Sequence, residues 1–250
     1  MPKPHRIASA KQLDDAVAAL IAADKRLHPV VERAGKPQFV PRRRHGFEAL
    51  MSIITSQQLS TAAGDTIFGR VKEKVVPFDP STMLETPADV LRSCGLSAPK
   101  QKHMKTIAGA IIDGTLDLKR VRSMPDDIAR EHLTAVKGIG PWTADIYLMS
   151  SLGRANIWPV GDVGLQAAVA RALKLRKRPT EQHMERLSKA WQPWRTIVAR
   201  LLWTYEDAIR KEQRAAGKRI MEANQKKLKK AAKAKKKTPK KKPEKKKAKR

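Results

Sequence analysis

The stretch Lys137-Gly138-Ile139-Gly140-Pro141 constrains the fold of this chain more tightly than any other. It joins two helical runs, one ending LTAV and one beginning WTADIYLM, in too few residues for ordinary side chains. Glycine supplies positive φ values, and its missing side chain bares consecutive backbone N–H groups. Pro141 suits the first turn of the second helix, where an absent N–H costs nothing. That helix starts with free N–H groups and the positive end of its dipole, so it is a natural seat for a phosphate. Further on, WPVGDVGLQAAVARAL places Asp162 at the start of a third helix.

Charge agrees with an anionic partner. The formal charge is +29 over 250 residues. Residues 211–250 hold 20 Lys and Arg against 3 Asp and Glu, so the body alone keeps a balance of +12. A basic body with a more basic tail favours a polyanion such as nucleic acid. A membrane surface also attracts cations, but no apolar run approaches the roughly 18 residues of a spanning helix. MPKPHRIASAKQ has no apolar signal core, so secretion is not expected; the cytoplasm with its nucleoid, or a nucleus, is. The single Cys94 excludes an intramolecular disulfide and a four-cysteine metal site. The six His residues are scattered, and no side-chain metal site or cofactor is expected.

Almost every segment reads helical. Ser9 with Gln12 forms a capping box ahead of LDDAVAALIAA. Pro29 and Gly35 bracket a short helix, and the basic turn PRRRHG follows, either simply solvated or in contact with phosphate. FEALMSIITSQQ carries Phe47, Leu50, Met51 and Ile54 on one face. Ser60 caps TAAGDTIFGRVKEK, Thr86-Pro87 starts ADVLRSC, and Ser97 starts APKQKHMKTIAGAII. Pro125-Asp126-Asp127 opens the helix before the glycine turn, Thr180 caps EQHMERLSKAW, and Pro193 starts a last long helix. Strand signals are nearly absent and there is no internal repeat, so the fold expected is all-α in one domain over residues 1–210. From Lys211 the periodic apolar residues stop. The last helix is expected to run on briefly, then give way to a disordered polycation over the rest of 211–250. Such a tail binds nucleic acid non-specifically or serves as a nuclear-import signal.

Two groups of residues stand out for chemistry. Gln57 and Gln58, at a junction between core helices, are either a surface corner or a loop pressed into a DNA groove, where an amide bonds base edges or fills the gap of a displaced base. Asp162 is well placed as an N-cap, and that role is compatible with catalysis.

The pattern L-x-x-x-K-G-I-G-P-W-T-A resembles the helix-hairpin-helix of the base-excision DNA glycosylases. SIITSQQLSTAA resembles the minor-groove reading segment of their alkylation-repair branch, GLSAPKQKHMKTIA its next helix pair, WPVGDVGLQAA its catalytic loop and WQPWRTIVARLLW its closing helix. These segments run in the expected order over roughly Asp24 to Asp207, and the chain looks like a DNA-3-methyladenine glycosylase II. The resemblance implies a two-lobed helical fold with the hairpin near 125–150. It implies that Asp162 is catalytic, either stabilising an oxocarbenium-like sugar or activating water. It implies DNA contacts by Gln57, Gln58, Leu59, Ser60, Lys137, Gly138, Ile139, Gly140 and Thr143, with a monovalent cation at the Gly138–Gly140 backbone. Its base pocket falls on Trp142, Trp194 and Tyr147, although the family aromatic corresponds more nearly to Ile146. Trp191 and Trp203 are left between pocket and core, and Trp158 is assigned to packing.

Trp142 occupies the position where bifunctional members of the superfamily hold a lysine nucleophile, so no Schiff base and no strand cleavage are expected. Its indole suits a cationic alkylated purine, although packing in the core would also explain it. The absent β-rich N-terminal lobe points to the compact form of the family, and the absent four-cysteine cluster argues against the endonuclease III and adenine-mismatch branches. The partner expected is duplex DNA with alkylated bases, bound by a monomer. The alternative is a helix-hairpin-helix DNA-binding or architectural protein without catalysis.

Overall fold

The computed structural model describes residues 6–37 and 46–237. The basic turn at 41–45 and the end of the Lys-rich tail, 238–250, lie outside the described residues. Among those described there is no strand, only one isolated bridge pairing Arg6 with Arg154.

Thirteen α-helices are described. α1 (Ala10–Ala23) begins as its sequence predicts. Ser9 Oγ accepts from the Gln12 N–H, and Gln12 Oε1 accepts from the N–H of Ala8, one residue before the cap. α2 (His28–Ala34) ends at Gly35, whose φ of 75° only glycine adopts readily. α3 (Gly46–Ser56) buries Leu50, Met51 and Ile54 completely. α4 (Thr61–Lys74) starts on Ser60, whose Oγ accepts from the Ala63 N–H. α5 (Pro80–Glu85), capped by Asp79, and α8 (Leu118–Val121), capped by Asp117, were not expected from periodicity. Each is too short to show a stripe and buries one anchor, Met83 or Val121. α6 (Ala88–Ser93) has no side-chain cap, because its N-cap is Pro87, which has no acceptor side chain; the Thr86 hydroxyl instead donates back to the Thr82 carbonyl. α7 (Ala98–Ile112) packs on α3, α5 and α6.

α9 (Asp126–Thr134) and α10 (Pro141–Ile146) are the two helices of the hairpin, and α10 runs on into a π-helical turn, Tyr147–Ser151. α11 (Val163–Ala172) starts on Asp162, and α12 (Glu181–Ser188) starts on Thr180, whose hydroxyl accepts from the His183 N–H. α13 (Arg195–Lys237) closes the described chain.

Helices α3–α9 form one lobe, with α10 set against α3 and α9. The other lobe gathers α1, α2, α12 and the segments around them. Its centre is Trp191, fully buried against Trp158 edge to face at 5.2 Å. Both indoles are satisfied, Trp191 donating to Asp24 Oδ2 at 2.9 Å and Trp158 to the Met184 carbonyl at 3.1 Å. The Thr196 hydroxyl pins the start of α13 to the backbone of Ile157. Both indoles are thus core residues.

The compact unit runs through Tyr205, and a second unit begins at Glu206. Within it the helix continues to Lys237, well past the brief extension expected beyond Lys211. Lys, Arg, Glu, Gln and Ala all favour helix, and no proline follows Pro193 until Pro239. Residues 211–222 are exposed on every face.

Candidate active site

The hairpin turn depends on one glycine more than the other. Gly138 has φ of 105°, and a Cβ there would lie 2.9 Å from the Cβ and 3.2 Å from the Cα of His103 on α7. Both backbone conformation and space therefore demand glycine. Gly140 does not supply a second positive φ. It is extended (φ −81°, ψ 171°), and an added Cβ would meet nothing within 4 Å. Its bare side faces open space at the N-terminus of α10, as a phosphate seat requires. The Ile139 side chain is buried, so only its backbone faces outward, while Lys137 is exposed. Behind the turn, buried Asp145 on α10 pairs with Arg130 on α9 at 2.5 Å. Burial pushes the Asp145 carboxyl up to about 6, against the pull of Arg130.

The Gln-Gln loop is strapped to this hairpin. The Gln57 amide donates to the Thr143 hydroxyl at 2.8 Å. Thr143 is 2 % exposed, and its hydroxyl holds Gln57. Lys100 donates to the carbonyls of Thr55 and Gln57 at 2.7 and 2.8 Å, covering the C-terminal end of α3. Burial lowers the pKa of that ammonium. The loop then turns through Gln58 in the left-handed region, φ 58°, which costs a non-glycine residue energy. The result is a projecting pair, Gln58 and Leu59, both exposed, with Ser60 occupied as the cap of α4.

Asp162 caps α11, and three N–H donors converge on its carboxylate. Oδ1 accepts from the Leu165 backbone N–H at 2.5 Å and from the Trp203 indole at 3.4 Å. Oδ2 accepts from the Trp142 indole at 2.7 Å. A carboxylate has acceptor sites for all three and no proton to oppose them. The indole from α13 that reaches Asp162 is Trp203, not Trp194. Trp194 is half-buried against the core just before α13. Tyr147 also leaves the expected pocket. It starts the π turn, is 1 % exposed, and its hydroxyl is bonded to the Gly46 backbone. Burial pushes that phenol up to about 12, consistent with a core residue.

Gln57–Leu59, Lys137–Thr143 and Gly161–Gly164 line one cleft of about 860 Å³. The predicted phosphate seat, projecting loop and carboxylate are therefore neighbours. His103 and Lys100 join them without having been singled out by sequence, and Trp203, left between pocket and core, reaches Asp162. The tight fit of His103 on Gly138 was signalled only by the glycine itself. Among the described residues, no group of three or more His, Cys, Asp and Glu is placed to hold a metal ion. No described helix is long and apolar enough to cross a membrane.

Two helical lobes, a glycine hairpin and a capped carboxylate beside it define a helix-hairpin-helix protein. Residues 51–193 match the model of the HhH-GPD superfamily base excision DNA repair proteins, and the chain belongs to that superfamily. It is 29 % identical over 200 residues, 78 % of this chain and 94 % of the relative, to an alkylbase DNA glycosidase-like protein of Schizosaccharomyces pombe. It is 31 % identical to the DNA-3-methyladenine glycosylase 1 of the same yeast, over 67 % of this chain and 75 % of the relative. Among solved structures it resembles a Bacillus halodurans DNA-3-methyladenine glycosidase, with TM-score 0.68 and 30 % identity over 84 % of this chain and 95 % of that one. It also resembles the S. pombe 3-methyladenine DNA glycosylase bound to abasic DNA, with TM-score 0.69 and 28 % identity over 76 % and 95 %.

Proposed function

We propose that the protein is a monofunctional DNA glycosylase that hydrolyses the N-glycosidic bond of alkylated purines, of the 3-methyladenine and 7-methylguanine type, and leaves an abasic site. The observation that carries this reading is the Asp162 carboxylate, held by Trp142, Trp203 and the Leu165 amide at a cleft shared with the hairpin. The names of the yeast and bacillary relatives support the alkylated-base substrate.

The hairpin backbone from Gly138 to Gly140 anchors a phosphate near the lesion. Gln58 and Leu59, presented by the loop that Lys100 and Thr143 hold, enter the minor groove and fill the vacated stack. The damaged nucleotide turns into the cleft at an unstacking cost of a few kcal/mol, smaller for a damaged base. Alkylation at N3 or N7 makes the purine cationic, which weakens its bond to the sugar and suits an indole face. Asp162 supports positive charge as it develops on the sugar, and water completes the hydrolysis. With Trp142 in place of a lysine nucleophile, no covalent imine forms, so borohydride traps no protein–DNA adduct.

Asp162→Asn tests the reading. Asn still caps a helix, but its NH₂ confronts one of the indole donors, and the negative charge is gone. Base release from alkylated duplex DNA is expected to fall at least ~10²-fold, a size typical of electrostatic groups, with binding to abasic DNA nearly intact. Full activity in this variant removes Asp162 from the mechanism, whereas no base release by the wild type leaves a non-catalytic DNA-binding protein.

A further inference from the structure

A second basic groove lies beside the hairpin, next to the cleft. It has a volume of about 850 Å³ and runs between α7 and the segments carrying Leu84, Ala88 and Arg92. Arg92, Lys102, Lys105 and Lys137 line it, against one carboxylate, Asp113. That carboxylate is already engaged with the Thr115 backbone N–H at 2.8 Å. The floor is made of small residues, among them Ala98, Gly109 and Ala110, and a Cβ added at Gly109 would meet nothing within 4 Å. Small residues of this kind let a polymer backbone approach closely. Val136 and Lys137 line both this groove and the cleft, so the two adjoin at the hairpin.

We infer that this groove seats the sugar–phosphate backbone of the DNA flanking the lesion, with Arg92 and Lys102 each neutralising a phosphate beyond those held by the hairpin. The inference rests on the reading of the cleft as a DNA site. Charge selects the ligand class, since a groove with four cations and one locally satisfied carboxylate favours a polyanion. Adjacency selects the occupant, since a strand anchored at Gly138–Gly140 passes Lys137 as it leaves the cleft. Arg92 and Lys102 are both exposed, and no hydrogen bond from either side chain to the protein is described. Lys105 is half-buried and donates to the Leu84 carbonyl at 2.9 Å, so it also serves the wall of the groove.

The test is the double variant Arg92→Gln/Lys102→Gln in the full chain. Binding is measured against salt on two duplexes with a non-cleavable abasic analogue, one ending just beyond the hairpin phosphates and one longer. Each lost phosphate contact lowers the slope of log K against log salt by about 0.9. The slope is therefore expected to fall by about two on the long duplex and to stay unchanged on the short one. An unchanged slope on the long duplex overturns the inference. If poly-glutamate binds the wild type and not the variant while the DNA slope is unchanged, the groove belongs to an acidic protein segment, and the inference is likewise overturned. Wild-type base release from alkylated DNA, measured in parallel, separates the two readings. A reduced slope without base release supports the groove and removes only the glycosylase reading. Base release with an unchanged slope removes only the groove.

Discussion

The Trp142 indole donates to Asp162 Oδ2 over 2.7 Å, joining the start of α10 to the start of α11. The aromatic expected to face the base is thereby also the group that orients the carboxylate expected to assist its departure. Trp142→Phe keeps a ring and removes the donor. A hydrogen bond to a charged group contributes about 1.5–3 kcal/mol, so single-turnover base release is expected to fall ~10- to 100-fold. Affinity for abasic DNA should change far less. Loss of binding in step with catalysis would mean that Trp142 acts on DNA and not through Asp162.

Trp203 and Trp194 make a paired comparison. Trp203 reaches Asp162 Oδ1 at 3.4 Å, and Trp194 packs against the core. Trp203→Phe should lower base release more than Trp194→Phe, whose effect should appear mainly in thermal stability. The reverse order would return the pocket wall to Trp194.

The two hairpin glycines should separate folding from binding. Gly138→Ala places a side chain at φ 105° and against the backbone of His103, so it should lower stability by at least ~1–2 kcal/mol, the usual cost of a left-handed residue. Gly140→Ala meets no steric obstacle and should unfold at nearly the wild-type temperature. A loss of DNA affinity in Gly140→Ala then reports directly on the phosphate seat. Wild-type affinity in that variant would place the phosphate elsewhere.

Gln58 carries a conformational cost at φ 58° that its side chain's function would justify. Gln58→Gly relieves the strain and is expected to raise stability by ~0.5–1 kcal/mol. It also removes the amide proposed to occupy the stack. Fluorescence of a 2-aminopurine beside the lesion should show weaker extrusion, while melting shifts upward. Unchanged extrusion would assign the wedge to Leu59.

Acid should loosen the core through Asp24. Its hydrogen bonds to Arg26 and Trp191 hold the carboxyl at about 2, below its ordinary 3.8. A depressed carboxyl contributes stability that is present above its unfolded pKa and lost as pH falls through the folded one. About two pKa units correspond to ~2 kcal/mol, lost between roughly pH 4 and pH 2. Asp24→Asn should be less stable than wild type at pH 7, with the difference shrinking across that window in chemical denaturation. A constant difference would mean that the site acts by packing alone.

The parts of this protein legible in its sequence are those governed by neighbouring residues. Ser9, Ser60 and Thr180 cap the helices they precede, because a cap bond spans only two or three residues. The glycine hairpin is legible because φ of 105° at Gly138 is a property of that residue and its turn. Asp162 is legible as a cap on the same grounds. Helices α5 and α8 escaped notice because four to six residues hold too little periodicity to reveal a buried face.

The tertiary structure alone decided which side chains meet. Five tryptophans have much the same chemistry in sequence, yet Trp158 and Trp191 pack together, Trp194 lies on the core, and Trp142 and Trp203 converge on Asp162. Tyr147, close to Trp142 along the chain, turns inward on a π-helical turn that no local pattern announced. Lys100 and Thr143 hold the Gln57 loop from helices more than forty residues away. Such pairings depend on how whole helices pack, and packing is set by the sum of many weak apolar contacts over the entire core. Local sequence therefore determined the hairpin and the capped aspartate, and long-range packing determined which aromatic and polar groups surround them.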